Sequence, residues 1–204
     1  MKAFSTFHST LGALAVLALA TPGLQAADPQ PGGASTREAA PSRTGAPGSG
    51  QLDKSDEQFV MKAAQSGLTE VQLGEIASQK AASEPVKELG AMMVKDHTKA
   101  NQELSGIVGK KGLALPTEPD SKHKAKVDKL SKLSGSEFDK EYVDAMVDSH
   151  KKGVSEFEKA SKSAKDPDIK AFAAKTLPTL QGHLQHVQGL KKNGGAQKAN
   201  TKTE

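Results

Sequence analysis

The chain has 204 residues, 35% hydrophobic and only 3% aromatic, enough for one domain with tails but too poor in aromatic side chains for a core built on sheets. Its 28 basic residues are interspersed with 24 acidic ones for a net charge of +4, without the basic stripe and interleaved aromatics of a nucleic-acid surface. Having no cysteine, it has no disulfide, thiolate metal ligand, haem-attachment motif or lipidated N-terminal Cys.

Residues 1–26 read as a signal peptide. Lys2 supplies a positive start, Leu11 to Ala20 form an apolar run, Pro22 and Gly23 break it, and Leu24-Gln25-Ala26 offers a small-residue cleavage site. The apolar run is ten residues, too short for a permanent span, and no later segment is apolar for long enough to cross a bilayer. Removing the leader leaves 27 basic against 24 acidic residues, or +3. The expectation is a mature protein that is soluble and periplasmic or secreted, with no integral membrane segment. Export also argues against a nucleic-acid partner.

A tether follows at 27–54, where Asp28 to Gly50 hold four Pro and five Gly among 23 residues. Such a stretch cannot bury enough apolar surface to offset its ordering entropy, so disorder is expected. The same holds for a tail at 193–204.

Between them, residues 55–192 predict four long helices, near 56–81, 84–111, 136–164 and 167–192. Ser55 caps the first, with Gln58 as its capping-box partner. Ser83 caps the second, and Pro85 sits in its first turn, where a missing N–H is harmless. Gly112 ends it. Asp166-Pro167 opens the fourth. An Ala-rich chain with few aromatics suits close-packed helices, so the fold class is all-α.

The joints between the first and second helices, and between the third and fourth, are only a few residues long. Each pair must therefore form an antiparallel hairpin. The segment 113–135, with Pro116, Pro119 and a short helix around Lys122–Leu133, is long enough to return along helices spanning roughly 40 Å. Two hairpins joined by one long crossover is the ferritin-like four-helix bundle; simple up-and-down connection would leave this segment unexplained.

Each helix carries a heptad stripe that should face the bundle axis. Val60, Ala63, Gly67, Glu70, Gly74, Ala77 and Ala81 mark the first, and Val86, Gly90, Met93, His97, Ala100, Leu104 and Ile107 the second. The third has Val143, Met146, His150, Gly153, Phe157, Ala160 and Ala164; the fourth has Ile169, Ala173, Thr176, Leu180, His183, Val187 and Leu190. One residue in each is foreign to an apolar seam: Glu70, His97, His150 and His183. Glu70 lies 12 residues before the first turn near Ala82 and His97 lies 15 after it; His150 lies 15 before the second turn near Lys165 and His183 lies 18 after it. The mismatch within each hairpin is roughly 4.5 Å, less than one helical turn, so the four share a layer.

One ligand-type residue per helix, meeting at mid-bundle, is how bundle metal sites are built. A lone inward His is more often a hydrogen-bonded core residue, but a buried carboxylate must be paired, protonated or bound to a cation. Met93 and Met146 each stand four residues before a stripe His. Thioether and imidazole together would suit copper, and the plainer role of such Met residues is to fill gaps in an aromatic-poor core. Pro178, five residues before His183, should kink the fourth helix and leave the Ala174 carbonyl short of a partner. Asp96 points about 100° away from His97, so it orients a neighbour or faces solvent. His123 and His186 lie off the stripes and receive no role.

Glu70-Val71, Met93-Val94-Lys95-Asp96-His97-Thr98, Phe138-Asp139-Lys140-Glu141-Tyr142 with His150, and Leu177-Pro178 with His183 together carry a family resemblance. Over residues 53–191 the chain resembles a widespread family of exported bacterial proteins, domain of unknown function 4142, grouped with ferritin-like folds. The resemblance implies the fold and export; the family brings no settled activity. Di-iron ferritin-like proteins place Glu-x-x-His on two helices, but here Val94 and Leu180 stand three before His97 and His183, which argues against ferroxidase or di-iron oxygenase chemistry.

Two functions compete. One is a bundle that holds or buffers Cu, Zn or Fe through Glu70, His97, His150 and His183, with Met93 and Met146 as additional donors. The other is a non-catalytic envelope or stress-related protein whose His/Glu layer is only a core hydrogen-bond network. A haem pocket is disfavoured by the scarcity of aromatic walls. No nucleophile with a base, phosphate-cradling Gly loop or paired carboxylates stand out, so no enzyme is inferred. Partner and oligomeric state have no signature.

Overall fold

The structure is a computed structural model that describes residues 51–200, with side chains through 194. The signal peptide and nearly all of the tether fall outside the described residues. Five helices follow in order: α1 (Lys54–Lys80), α2 (Glu84–Gly109), α3 (Ser121–Ser131), α4 (Gly135–Ser163) and α5 (Pro167–Asn200). The third and fourth long helices of the sequence are thus α4 and α5. Among the described residues there is no strand, only an isolated bridge between Ala81 and Gly135. The all-α reading holds.

Local chemistry sets the helix ends. Asp53, not Ser55, caps α1: its Oδ1 accepts from the Ser55 N–H at 2.9 Å. A carboxylate two residues before the first free amides outcompetes a hydroxyl there, since its full charge also meets the positive end of the helix dipole. Ser83 stands at the head of α2 without a side-chain capping bond, and Pro85 occupies the first turn. After α2 the chain reverses at Gly112, whose φ of 74° is left-handed and suits glycine alone. Asp120 caps α3 and Asp166 caps α5, the latter accepting from the amides of Asp168 and Ile169 at 3.0 and 3.1 Å.

The tail expected from Asn193 begins as helix. α5 passes Lys192 and runs to Asn200. Gly194 and Gly195 weaken helix propensity without blocking it, and the Ala, Gln and Lys that follow restore it, with no Pro to stop the turn. Pro178 also lies within α5, which continues through it.

α1 packs on α2 and α4 on α5; α1 also meets α4, α2 meets α5, and α3 lies against α1. Two aspartates fix the levels. The Asp139 carboxylate, at the start of α4, accepts from the amides of Ala82 and Ser83 in the α1–α2 turn, each at 2.9 Å. Buried Asp56, at the start of α1, accepts from Lys165 and Asp166 in the α4–α5 turn at 2.9 and 2.7 Å. Lys111, just past α2, meets Asp166 at 2.8 Å and Asp168 at 2.9 Å. The start of each hairpin's first helix therefore holds the turn of the other hairpin.

Every residue of the four heptad stripes is buried or half-buried. The core divides into two apolar clusters. One gathers Leu73, Leu89, Met93, Phe138, Tyr142 and Met146; the other gathers Val60, Leu104, Phe157, Ile169 and Phe172. Along α1, α2, α4 and α5 alike, the polar stripe residue falls in the gap between the two clusters. Close approach of α1 and α2 depends on glycine: a Cβ on Gly74 would stand 2.5 Å from the Gly90 carbonyl oxygen.

Candidate metal centre

Between the clusters, Glu70, His97, His150 and His183 are all buried. His97, His150 and His183 each offer a ligand nitrogen, and these lie within 4.8 Å of one another. The imidazole centroids are 5.3–5.6 Å apart. Glu70 sits beside this trio, with Oε2 3.2 Å from His97 Nε2 and Oε1 3.7 Å from His150 Nδ1. The shared layer read from residue spacing is therefore present, with three imidazoles at its centre and the carboxylate at its edge.

Two outer bonds fix the ring orientations. His150 Nδ1 is 2.9 Å from the Met146 carbonyl oxygen. A carbonyl only accepts, so this nitrogen carries the proton and Nε2 presents a lone pair. His183 Nε2 is 2.9 Å from Asp96 Oδ2, so it donates to the carboxylate and Nδ1 presents the other lone pair. These two acceptors, His150 Nε2 and His183 Nδ1, face each other across 3.3 Å. Neither neutral ring has a hydrogen to put in the gap. A proton or a cation must sit between them, or the lone pairs repel.

Burial is the main influence on both rings and disfavours their charged forms. It pulls His150 below the ordinary imidazole range against the opposing Glu70 charge, with His97 adding to the fall. It pulls His183 down too, against the Asp96 bond. Burial works to raise Glu70, but the fields of His97 and His150, the Ser149 bond and His183 outweigh it, so the carboxyl titrates below its usual range. The layer at neutral pH thus offers imidazole lone pairs beside a carboxylate.

Buried His97 Nε2 has no hydrogen-bond partner despite its nearness to Glu70. A buried polar atom in this state calls for an occupant, a water or an ion, or for closer alignment with the carboxylate. Tyr142 Oη, in the adjoining apolar cluster, is likewise buried without a partner, and burial together with the Glu70 charge raises its pKa. A cavity of about 30 Å³, lined among others by Glu70, His97 and His150, has room for a single small occupant.

Met93 and Met146 are fully buried in the cluster with Leu73 and Tyr142, where they fill space in a core short of aromatics. Two polar residues off the stripes bond to the layer. Asp96 orients a neighbour, His183 on the helix opposite. Ser149 was missed: its Oγ donates to Glu70 Oε1 at 2.7 Å. Its only sequence signal is adjacency to His150, which does not show that α1 brings a carboxylate to it.

A family model described as domain of unknown function (DUF4142) matches residues 41–190. No curated protein matches the chain. Among solved structures, a DUF305 fragment from Deinococcus radiodurans is similar at a TM-score of 0.61 and 18% identity, covering 70% of this chain and 98% of its own. A DUF305 protein from Streptomyces coelicolor, described as a candidate secreted protein, gives 0.60 and 16%, covering 69% of this chain and 92% of its own. CopM in its Cu(II)-bound form gives 0.58 and 16%, covering 68% and 96%. At these identities the likeness shows a shared helical fold. Among the described residues, no helix is long and apolar enough to cross a membrane.

Proposed function

Starting from a chain that belongs to the family of domain of unknown function DUF4142, we propose that it is an exported ferritin-like four-helix bundle that holds a divalent or cuprous cation in its mid-bundle layer. The signal peptide at 1–26 and the tether at 27–54 belong to this reading, with the mature protein periplasmic or secreted. α3 then lies within the crossover that joins the two hairpins.

The observation that carries the proposal is the pair of facing lone pairs on His150 and His183. Donor nitrogens around a tetrahedral ion with bonds of about 2.0–2.1 Å stand about 3.3 Å apart. The distance between His150 Nε2 and His183 Nδ1 is 3.3 Å. His97, whose Nε2 has no partner, supplies the third donor, and Glu70 the fourth after a small rotation away from His97. The Met146 carbonyl and Asp96 hold the rings in the ligating tautomer, as outer-shell groups do at natural metal sites. A bound cation would neutralise the repulsion and pair the buried carboxylate. Imidazole suits Cu, Zn and Fe alike. Copper is favoured by the Cu(II)-bound state of the structurally similar CopM. Met93 and Met146 would add soft donors only by leaving the apolar cluster, so they stand second to the imidazoles.

A second reading rests on the Ser149–Glu70 bond and the nearness of Glu70 to His97: the layer is a hydrogen-bond network that sets helix register in a non-catalytic envelope protein. Calorimetric titration of the untagged protein and of His150→Ala with Cu, Zn and Fe separates the two. One saturable site in the native protein, lost in His150→Ala, is expected. Equal, negligible heats in both would leave the network reading standing.

A further inference from the structure

Two cavities meet at the Glu70 side of the His layer. The inner one, about 30 Å³, touches His97 and His150. The outer one, about 240 Å³, lies between α1, α3 and α4, with Lys122, His123 and Lys126 of α3 along one wall. Ser66, Glu70, Ser149 and Gly153 line both. These four residues are therefore the partition between the chambers, and the side-chain hydrogen bond between two of them is Ser149 Oγ to Glu70 Oε1 at 2.7 Å. Gly153 contributes no side chain, and a Cβ placed there would meet only Leu180 Cδ1, at 3.8 Å.

We infer that the outer chamber is the loading vestibule of the metal site, and that Glu70, released from Ser149, hands the cation from it to the imidazoles. This rests on the metal reading above. A carboxylate lining both chambers can hold an ion on either side of the partition, whereas His150 and His183 do not line the outer one. The wall that must yield is α3. It buries only Leu130, and the loop before it is tied to α1 by Gln65, whose Oε1 accepts from the Asp120 amide at 2.6 Å. An element with so little burial opens locally at low cost. The outer walls carry Lys122, Lys126 and Lys152 against Asp148 and Glu156, with the buried Glu70 carboxylate behind them at the partition, so loading is not driven by steering at the mouth. The rival route lies on the other side of the layer, past Asp96, whose side chain is 29% exposed where it holds His183.

The test is stopped-flow mixing of Cu(II) and, separately, Zn(II) with the full mature chain and four variants, with helicity checked by circular dichroism. Ser149→Ala, which frees Glu70, and Gln65→Ala, which frees the approach to α3, should load several-fold faster. Gly153→Leu, which fills the partition, should load about tenfold slower, a shift within the range over which on-rates vary at one site. The two accelerating variants decide the matter if Gly153→Leu does not fold. Native rates in both, with metal still bound at equilibrium, would overturn the vestibule and leave the metal site intact. Acceleration by Asp96→Ala alone would place entry on the rival side. Failure of the native chain to bind either ion would overturn site and vestibule together.

Discussion

Burial holds His150 and His183 below the ordinary imidazole value of 6.5, while Glu70 lies below its own value of 4.5 despite burial. Both shifts have the same consequence for acid stability. Below about pH 6.5 the unfolded chain takes up protons on these histidines that the folded chain resists, so the unfolded state binds more protons and stability falls with pH. Below 4.5 the unfolded Glu70 protonates before the folded one, and a further loss follows. Urea unfolding of the metal-free protein should show a stability plateau above the imidazole range and a decline beginning near its upper edge. Replacing His150 with Gln should blunt that decline. A profile flat to pH 5 would mean that the rings are not held neutral by burial. At this scale the layer was legible, because a polar residue at a heptad position inside an Ala/Leu stripe announces itself. Ser149 and the exact partner of Asp96 were not, because hydrogen bonds between helices leave no mark in local spacing.

Each helix follows from periodicity and capping chemistry, and the expected boundaries differ from the structure by few residues except at the end of α5. There the composition suggests a disordered tail, but Ala, Gln and Lys after the Gly pair keep enough helix propensity for α5 to continue to Asn200. Glycine in fact has two opposite roles within these helices. At Gly74 an added Cβ meets the Gly90 carbonyl oxygen at 2.5 Å, which is backbone and cannot turn aside. At exposed Gly106 nothing lies within 4 Å. Gly74→Ala should therefore force α1 and α2 apart and destabilise by about 1–3 kcal/mol, the usual cost of overpacking. Gly106→Ala should stabilise by up to about 1 kcal/mol through helix propensity alone. Urea midpoints of the two variants check the contrast, and a stabilised Gly74→Ala would show that the helices have room to spare at this crossing.

A layer shared by four helices works only if the two hairpins keep their level, and that is the task of the aspartate clamps at either end. Neither was foreseen. Asp56 in the first turn of α1 and Asp139 in the second turn of α4 look like ordinary acids near a helix start, favourable to the helix dipole, and nothing in the chain order pairs them with turns more than fifty residues away. The two clamps are not equal. Asp139 serves amides at the exposed Ala82 and half-buried Ser83, where water can replace it. Asp56 is 3% exposed where Asp139 is half-buried, and both of its bonds, to the amides of Lys165 and Asp166, are partly buried, so water replaces this carboxylate less completely. Hydrogen bonds to a charged acceptor contribute about 1.5–3 kcal/mol each, and partial rescue by solvent brings the expected cost of Asp56→Ala to about 2–3 kcal/mol. Lys87→Ala, which breaks only the exposed pair with Glu84, should change stability by less than about 0.5 kcal/mol. Denaturant midpoints at neutral pH give the energies, and hydrogen exchange gives the place. The Lys165 and Asp166 amides should lose protection in Asp56→Ala while those of Ala82 and Ser83 keep theirs. Loss spread evenly over both turns would mean that the hairpins separate as units and that no single clamp sets their level.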